Sequence, residues 1–240
     1  MEQTQFNVFL AESCEKNGIF PLTDHQMQAF WRFANHLMEV NQTTNLTAIR
    51  NLPDVITKHF VDSLTVSAKI PQNARVLDLG CGPGFPSIPL AIARPDLTIT
   101  ALDSTDKKIR FVNESAALLE LSNLKGIAGR AEDGKIRALL GEFDVVVSRA
   151  VARLNLLCEL CMPYARVGGK LIAMKGAKGE EELAEAQNAI KILGGKATIF
   201  SEPLITEEGS EVRCLVEVQK IAPTPKQYPR AYATILKKPL

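Results

Sequence analysis

The chain has 240 residues, 46% hydrophobic and 23% charged, which excludes a disordered polymer and suits a globular unit with a large core. Its formal net charge is only +1, and no apolar run approaches the ~18 residues that a membrane helix needs. The opening segment, MEQTQFNVFLAESCEK, has neither a basic n-region nor an apolar h-region, and the five cysteines form no compact disulfide framework. A reducing, cytoplasmic location is the expectation.

Residues 1–70 read as helical, with seven acids against five bases. Phe6, Phe9, Leu10 and Cys14 recur at helical spacing, and TDHQMQAFWRFANHLMEV repeats the pattern with Phe30, Phe33, Leu37 and Val40. Thr23 and Gln26 have the spacing of a capping box. NQTTNLTAI interrupts with turn formers, and PDVITKHFVDSLTVSAKI opens another helix at Pro53.

From Arg75 onward, short apolar strands alternate with amphipathic helices. The expected strands are RVLDLG, LTITALD, LKGIAG, FDVVVSRA and GKLIAMKG, with helices near 86–94, 106–121, 153–165 and 179–193. This alternation implies right-handed crossovers and a parallel sheet. KATIF and EVRCLVEVQ follow with no helix between them, predicting an antiparallel hairpin at the sheet edge. The expected fold is α/β and Rossmann-like, mostly parallel with an antiparallel last strand, divided into a helical extension (1–70), a nucleotide-type domain (71–220) and a tail (221–240). The tail carries four bases, Lys226, Arg230, Lys237 and Lys238, no acid, and two interleaved tyrosines. That pattern suits phosphate contact with base stacking, or else a solvated end.

DLGCGPGFPSIPL leaves the first strand at the switch point, where open parallel sheets bind ligands. Gly80, Gly82 and Gly84 allow a close backbone approach, but Gly-x-Gly-x-Gly is not the dinucleotide spacing, and Pro83, Pro86 and Pro89 lack the N–H groups a pyrophosphate needs. The helix start remains open to a single carboxylate. Asp103 ends the second strand, twenty-three residues after Gly80, where an acid accepts both hydroxyls of an adenosine ribose. Capping of the next helix is its competing role. Ala131 and Glu132, after the third strand, are placed for an adenine edge, although an acid there also suits a helix start.

These features together resemble an S-adenosylmethionine-dependent methyltransferase. More narrowly, NLTAI, HFVDSL, DLGCGPGFPSIPLAI, LDSTDKKIRF, GRAED, FDVVVSRAVARL, GGKLIAMKG and TPKQYPRAY…KKPL resemble, in that order, the RsmG (GidB) family. The resemblance runs from about residue 40 to the C-terminus. It implies S-adenosylmethionine as cofactor and N7 of a guanine in the decoding-region loop of 16S rRNA as target, in free rRNA or a small-subunit precursor. It also implies cofactor contacts at Gly80, Phe85, Ala131 and Glu132, with Phe85 as an apolar wall and Arg149 at the methionine end or the target pocket. The tail departs from the family pattern at Ala231, Ala233 and Ile235, where lysine, glycine and proline are expected.

Guanine N7 has a free lone pair, so its methylation needs alignment rather than a general base. No catalytic residue is assigned, no Pro-Cys dipeptide or Pro-Pro-aromatic turn is present, and no metal is expected. Cys158 and Cys161 read as buried helix cysteines and Cys81 as a loop filler. His59 falls in a family motif and receives no role. Candidate rRNA contacts are Lys107, Lys108, Arg110, Arg153, Lys175, Lys178 and the four tail bases. Rival readings are a methyltransferase of the same fold acting on another nucleobase or on protein, an NAD-dependent oxidoreductase, and a nucleotide-binding module without catalysis.

Overall fold

The computed structural model describes all residues, Met1–Leu240. Seven strands form one sheet in the order β3-β2-β1-β4-β5-β7-β6. Strands β1 (Arg75–Leu79), β2 (Thr98–Asp103), β3 (Leu124–Ala128), β4 (Phe143–Arg149) and β5 (Ala165–Lys175) run parallel. The hairpin of β6 (Gly195–Thr206) and β7 (Gly209–Lys220) completes the sheet, with β7 inserted antiparallel against β5 and β6 left as the edge. Both hairpin strands extend beyond KATIF and EVRCLVEVQ, because main-chain pairing continues through polar positions as far as Thr206↔Gly209.

Between the strands lie α5 (Ser87–Ala93), α6 (Asp106–Leu118), α8 (Leu154–Cys161) and α9 (Gly179–Ile192), close to the expected spans. A helix without a sequence-based expectation, α7 (Gly134–Leu140), joins β3 to β4; the Asp133 side chain caps it by accepting from Lys135 N. Seven residues are too few to show a periodic apolar face. A short terminal helix, α10 (Tyr232–Lys237), lies within the basic tail.

Before the sheet come α1 (Gln3–Lys16) and α2 (Asp24–Thr44), the latter begun by the Thr23–Gln26 capping box. The next helix starts at Leu52 rather than Pro53, because the Asn51 side chain caps it by accepting from Asp54 N. It is irregular: short α segments, α3 (Leu52–Asp54) and α4 (Asp62–Leu64), flank a π-helical stretch, Val55–Val61. Such π segments often occur at functional positions, and this one carries Lys58 and His59.

The N-terminal helices share their core with the sheet. Fully buried Phe33 packs on Phe60 (5.4 Å between ring centroids), Phe85 (5.7 Å) and Phe111 (6.3 Å), joining α2, the π segment, the glycine loop and α6. A single apolar cluster extends from Phe6 to Leu215, so packing is continuous across residue 70. The five cysteines are free and buried. Burial pushes the Cys158 thiol up to about 12, as expected for core filler rather than a reactive pair.

Phe60→Ala removes a fully buried ring from beneath the glycine loop. It should lower the unfolding free energy by about 3–5 kcal/mol in urea titration; a loss under about 1 kcal/mol would mean that this aromatic junction is not part of the cooperative core.

Candidate active site

The carboxyl ends of β1, β2, β3 and β4 surround a cavity of about 480 Å³. Gly80, Cys81, Gly82, Pro83 and Phe85 form its floor, Asp103 to Thr105 and Lys108 one side, Gly129 to Glu132 the far end, and Arg149 to Val151 the near end. The β1–β4 neighbourhood is the switch point of the sheet.

The glycines divide by role. Gly80 has φ +75°, and a Cβ there would meet Val151 Cγ2 at 2.3 Å. Gly84 is buried and does not border the cavity; a Cβ there would strike Ile88 Cδ1 at 2.4 Å, so this glycine serves loop-to-helix packing rather than the expected ligand contact. The loop donors are already engaged: Gly80 and Cys81 N–H bond Leu102 O, Gly82 N–H bonds Asp103 Oδ2 (3.0 Å), and Gly84 and Phe85 N–H bond Cys81 O. At the start of α5, Ser87 N–H donates to Asp78 Oδ2 (2.9 Å). An internal carboxyl therefore fills the position where the sequence left room for a ligand carboxylate. The loop permits close approach but offers no phosphate cradle.

Asp103 borders the cavity with both oxygens anchored, Oδ1 accepting from Thr105 N (2.8 Å) and Oδ2 from Gly82 N. One oxygen thus supports the turn before α6, and the carboxylate also borders the crevice. Two cavity residues at the far end are also fixed: Glu132 is paired with Arg130 (2.6 Å), and Ala131 O accepts from Tyr164 Oη (2.9 Å).

At the near end, Phe85 is only 3% exposed, because His59 stacks on it at 4.3 Å and Arg149 Cζ lies 5.2 Å from its ring centroid. Arg149 donates to Asp62 Oδ2 (2.8 Å), Lys58 O (3.1 Å) and His59 Nδ1 (3.1 Å). The far ring nitrogen, Nε2, lies 2.8 Å from Thr47 Oγ1. Because the guanidinium has only donors, His59 accepts at Nδ1 and donates from Nε2. Burial first, and the Arg149 charge second, lower this imidazole to about 3, so it stays neutral and is not a proton acceptor. Asp62 also holds Arg213 through Oδ1 (2.9 Å).

A second hollow of about 530 Å³ shares His59, Arg149, Ala150 and Val151 with the first and continues past Lys58, Arg153 and Arg213. Lys58, Asp62 and Arg213 received no sequence-based role. Lys58 and Asp62 are close in sequence, but 151 residues separate Asp62 from Arg213, and only tertiary folding brings both segments to Arg149.

Several basic candidates lie elsewhere than expected. Lys175 borders the second hollow but is only 8% exposed, paired with Glu182 (2.7 Å) and bonded to Ala152 O, which makes it a brace for the loop after β4. Arg230 binds fully buried Glu159 through its backbone N (2.9 Å) and Nε (2.8 Å), so it too is a structural cation. Lys226 borders a hollow with Gly141, Glu142 and Lys220 at the amino ends of the parallel strands, away from the crevice. Arg153 is exposed but faces Glu181 and Glu185; Lys107 bonds Thr44 O. Lys107, Arg110, Lys178, Lys237 and Lys238 are exposed, and Lys108 lines the cavity.

This sheet order, with its crevice at the β1–β4 switch, is that of the class I methyltransferases. The O-methyltransferase from Bacillus cereus, solved with SAH, superposes with a TM-score of 0.56 at 18% identity, covering 78% of this chain and 90% of that one. Precorrin-6y C5,15-methyltransferase from Geobacter metallireducens GS-15 gives 0.51 at 14%, covering 74% and 92%. In sequence, the family model described as GidB, rRNA small subunit methyltransferase G, matches residues 26–206. Ribosomal RNA small subunit methyltransferase G of Brevibacillus brevis is 47% identical over 233 residues, 96% of this chain and 97% of its own. The protein of that name from Exiguobacterium sp. is 42% identical over 243 residues, spanning 100% of both. The chain belongs to the GidB family.

Asp78 has a distinct pH signature. Complete burial pushes its carboxyl up to about 7, and Oδ1 has no hydrogen-bond partner. The unfolded group ionises near 3.8, so unfolding releases a proton between those two pH values. The group's stabilising contribution is complete below 3.8 and is lost as pH rises through about 7. Relative to Asp78→Asn, the parent should lose about 1.4 kcal/mol of stability per pH unit across that window in urea titrations from pH 5 to 8. His59 is common to both proteins and cancels from the difference. A pH-independent difference would show that Asp78 ionises as an ordinary carboxylate.

Proposed function

We propose that this chain is an S-adenosylmethionine-dependent methyltransferase of small-subunit rRNA, and that its target atom is N7 of a guanine in the decoding-region loop of 16S rRNA. The observation that carries this reading is the junction of two cavities at Arg149, within a chain of the GidB family. One cavity suits a nucleoside cofactor and the other an incoming base.

The residues of the first cavity fit S-adenosylmethionine. Gly82 borders the cavity with open space where a Cβ would stand, Asp103 presents a fixed carboxylate to ribose hydroxyls, and partly apolar walls at Leu102, Ala131 and Leu160 suit adenine. Asp78, with its unpartnered Oδ1, leaves a carboxyl beneath a loop that is to receive a cation. Gly80, Phe85, Glu132 and Arg149 complete the proposed contact set. When bound, the cofactor supplies an electrophilic methyl on a sulfonium.

The chain's own residues position rather than transfer protons. Guanine N7 already exposes its lone pair, and His59 is neutral with both ring nitrogens engaged, so the site offers alignment and exclusion of water. Phe85 and His59 form a rigid wall, and Asp62 holds Arg149 at the edge shared by the two hollows. Lys108, Arg153 and the exposed Lys107, Arg110, Lys178, Lys237 and Lys238 are the proposed phosphate contacts, which position the RNA. The small-subunit rRNA or its precursor particle implies a cytoplasmic location; no helix of the chain is long and apolar enough to cross a membrane.

Methyl transfer to undermethylated small subunits and to naked 16S rRNA, with mapping of the modified base, tests the target. The expected product is one N7-methylguanine; a methyl group on another base or on protein would keep the fold class and overturn the target. Asp103→Ala should weaken S-adenosylmethionine binding at least tenfold in calorimetry, the order expected for lost charge-assisted hydrogen bonds, and parent-like affinity would remove Asp103 from the ribose site. In the Lys237→Ala/Lys238→Ala variant, the slope of log affinity for rRNA against log salt should flatten by roughly 1.5. An unchanged slope would exclude these lysines from the RNA interface.

A further inference from the structure

The C-terminal segment does not trail into solvent. Arg137 Nη1 donates to Tyr228 O (2.7 Å), Arg230 is bound to the buried carboxylate of Glu159, and Ile235 is completely buried against the α8 side of the sheet. The run Tyr232–Lys237 contains neither glycine nor proline, so nothing in it breaks a helical turn. These three attachments bring Tyr232 back to the cavity beyond β1–β4, where it lines the wall with Ala131 and Leu160. Arg130 Cζ lies 5.3 Å from the centroid of the tyrosine ring.

Which end of the cavity Tyr232 closes follows from the strand order. The β4 end, with Arg149 and Val151, opens into the second hollow. Asp103, ending β2, stands between the two extremes, and Gly129 to Glu132, following β3, occupy the end farthest from β4. Tyr232 meets Arg130 at that far end. With ribose at Asp103 and the reacting methyl toward β4, the far end is left for the purine.

We propose that Tyr232 is a cofactor-contact residue whose ring forms the outer wall of the adenine subsite, with the C-terminal segment acting as a clamp held by the Arg230–Glu159 pair. The proposal rests on the methyltransferase reading. It converts part of the tail from an RNA-binding arm into a component of the cofactor site. An aromatic face suits a purine because stacking needs no particular donor pattern, and the guanidinium of Arg130 on the same ring adds a cation–π contact. The anchor also explains why a carboxylate is kept fully buried at Glu159: three donor atoms of Arg230 converge on it.

Calorimetry of the full-length protein with S-adenosylhomocysteine and with 5′-methylthioadenosine, which lacks the amino-acid part, tests this assignment. Tyr232→Ala should weaken both ligands by a similar factor, on the order of tenfold, while Tyr232→Phe keeps the face and binds like the parent. Tyr232→Trp supplies an independent readout, because its indole emission should change saturably as S-adenosylhomocysteine is added. Parent-like affinity of Tyr232→Ala, or a silent tryptophan at saturating ligand, would overturn the proposal. If the parent itself binds neither ligand, the methyltransferase reading fails, and this inference with it. A loss confined to S-adenosylhomocysteine, with 5′-methylthioadenosine unaffected, would place Tyr232 at the methionine end and equally overturn the assignment.

Discussion

The stack of His59 on Phe85, with Arg149 beside the same ring, is the contact on which the site depends. It joins three segments that are far apart along the chain: the π-helical stretch, the glycine loop and the tip of β4. The ring centroids of His59 and Phe85 are 4.3 Å apart at 15°, and Phe33 and Phe60 pack behind Phe85. The loop's backbone is tied to β2 through the N–H groups of Gly80, Cys81 and Gly82. The aromatic contact adds the packing that joins this loop to the N-terminal helices and to β4, and leaves its backbone bordering the cavity. The helical N-terminal region is therefore part of the site wall as well as of the core.

Charge is managed in the same region by internal pairing. Asp62 is 4% exposed and holds two arginines, Arg149 of β4 and Arg213 of β7, from strands on either side of β5. Removing the carboxylate would leave Arg149 without its acid in a partly desolvated place, a larger cost than a surface pair carries, while Arg213 would keep Glu211. Lys175 with Glu182, and Arg230 with Glu159, follow the same logic at the loop after β4 and at the C-terminal segment. Each pair holds a chain segment in place, which is why these cations are unavailable to a polyanion despite their sign.

Much of the architecture was legible because it rests on local periodicity. Alternating apolar runs and amphipathic stretches marked all seven strands and the principal helices, and the hairpin followed from the missing helix between its strands. The meeting of the glycine loop and Asp103 at one crevice was legible because both are tied to position, directly after β1 and at the end of β2. The short helices α7 and α10 were not, since six or seven residues carry too little pattern. Lysines and arginines were the least legible group. A charged residue reads the same in sequence whether it faces solvent or a buried carboxylate.

The sequence alone therefore determined the class of fold, the location of the crevice and, through its ordered motifs, the family resemblance. Local spacing and residue type are sufficient for these. Tertiary structure alone decided that Gly84 packs inward, that Asp78 occupies the start of α5, that Lys175 and Arg230 are structural, and that Tyr232 returns to the cavity. These depend on which groups folding brings together, as with Glu159 and Arg230, 71 residues apart, and no local pattern records which buried group a side chain will meet.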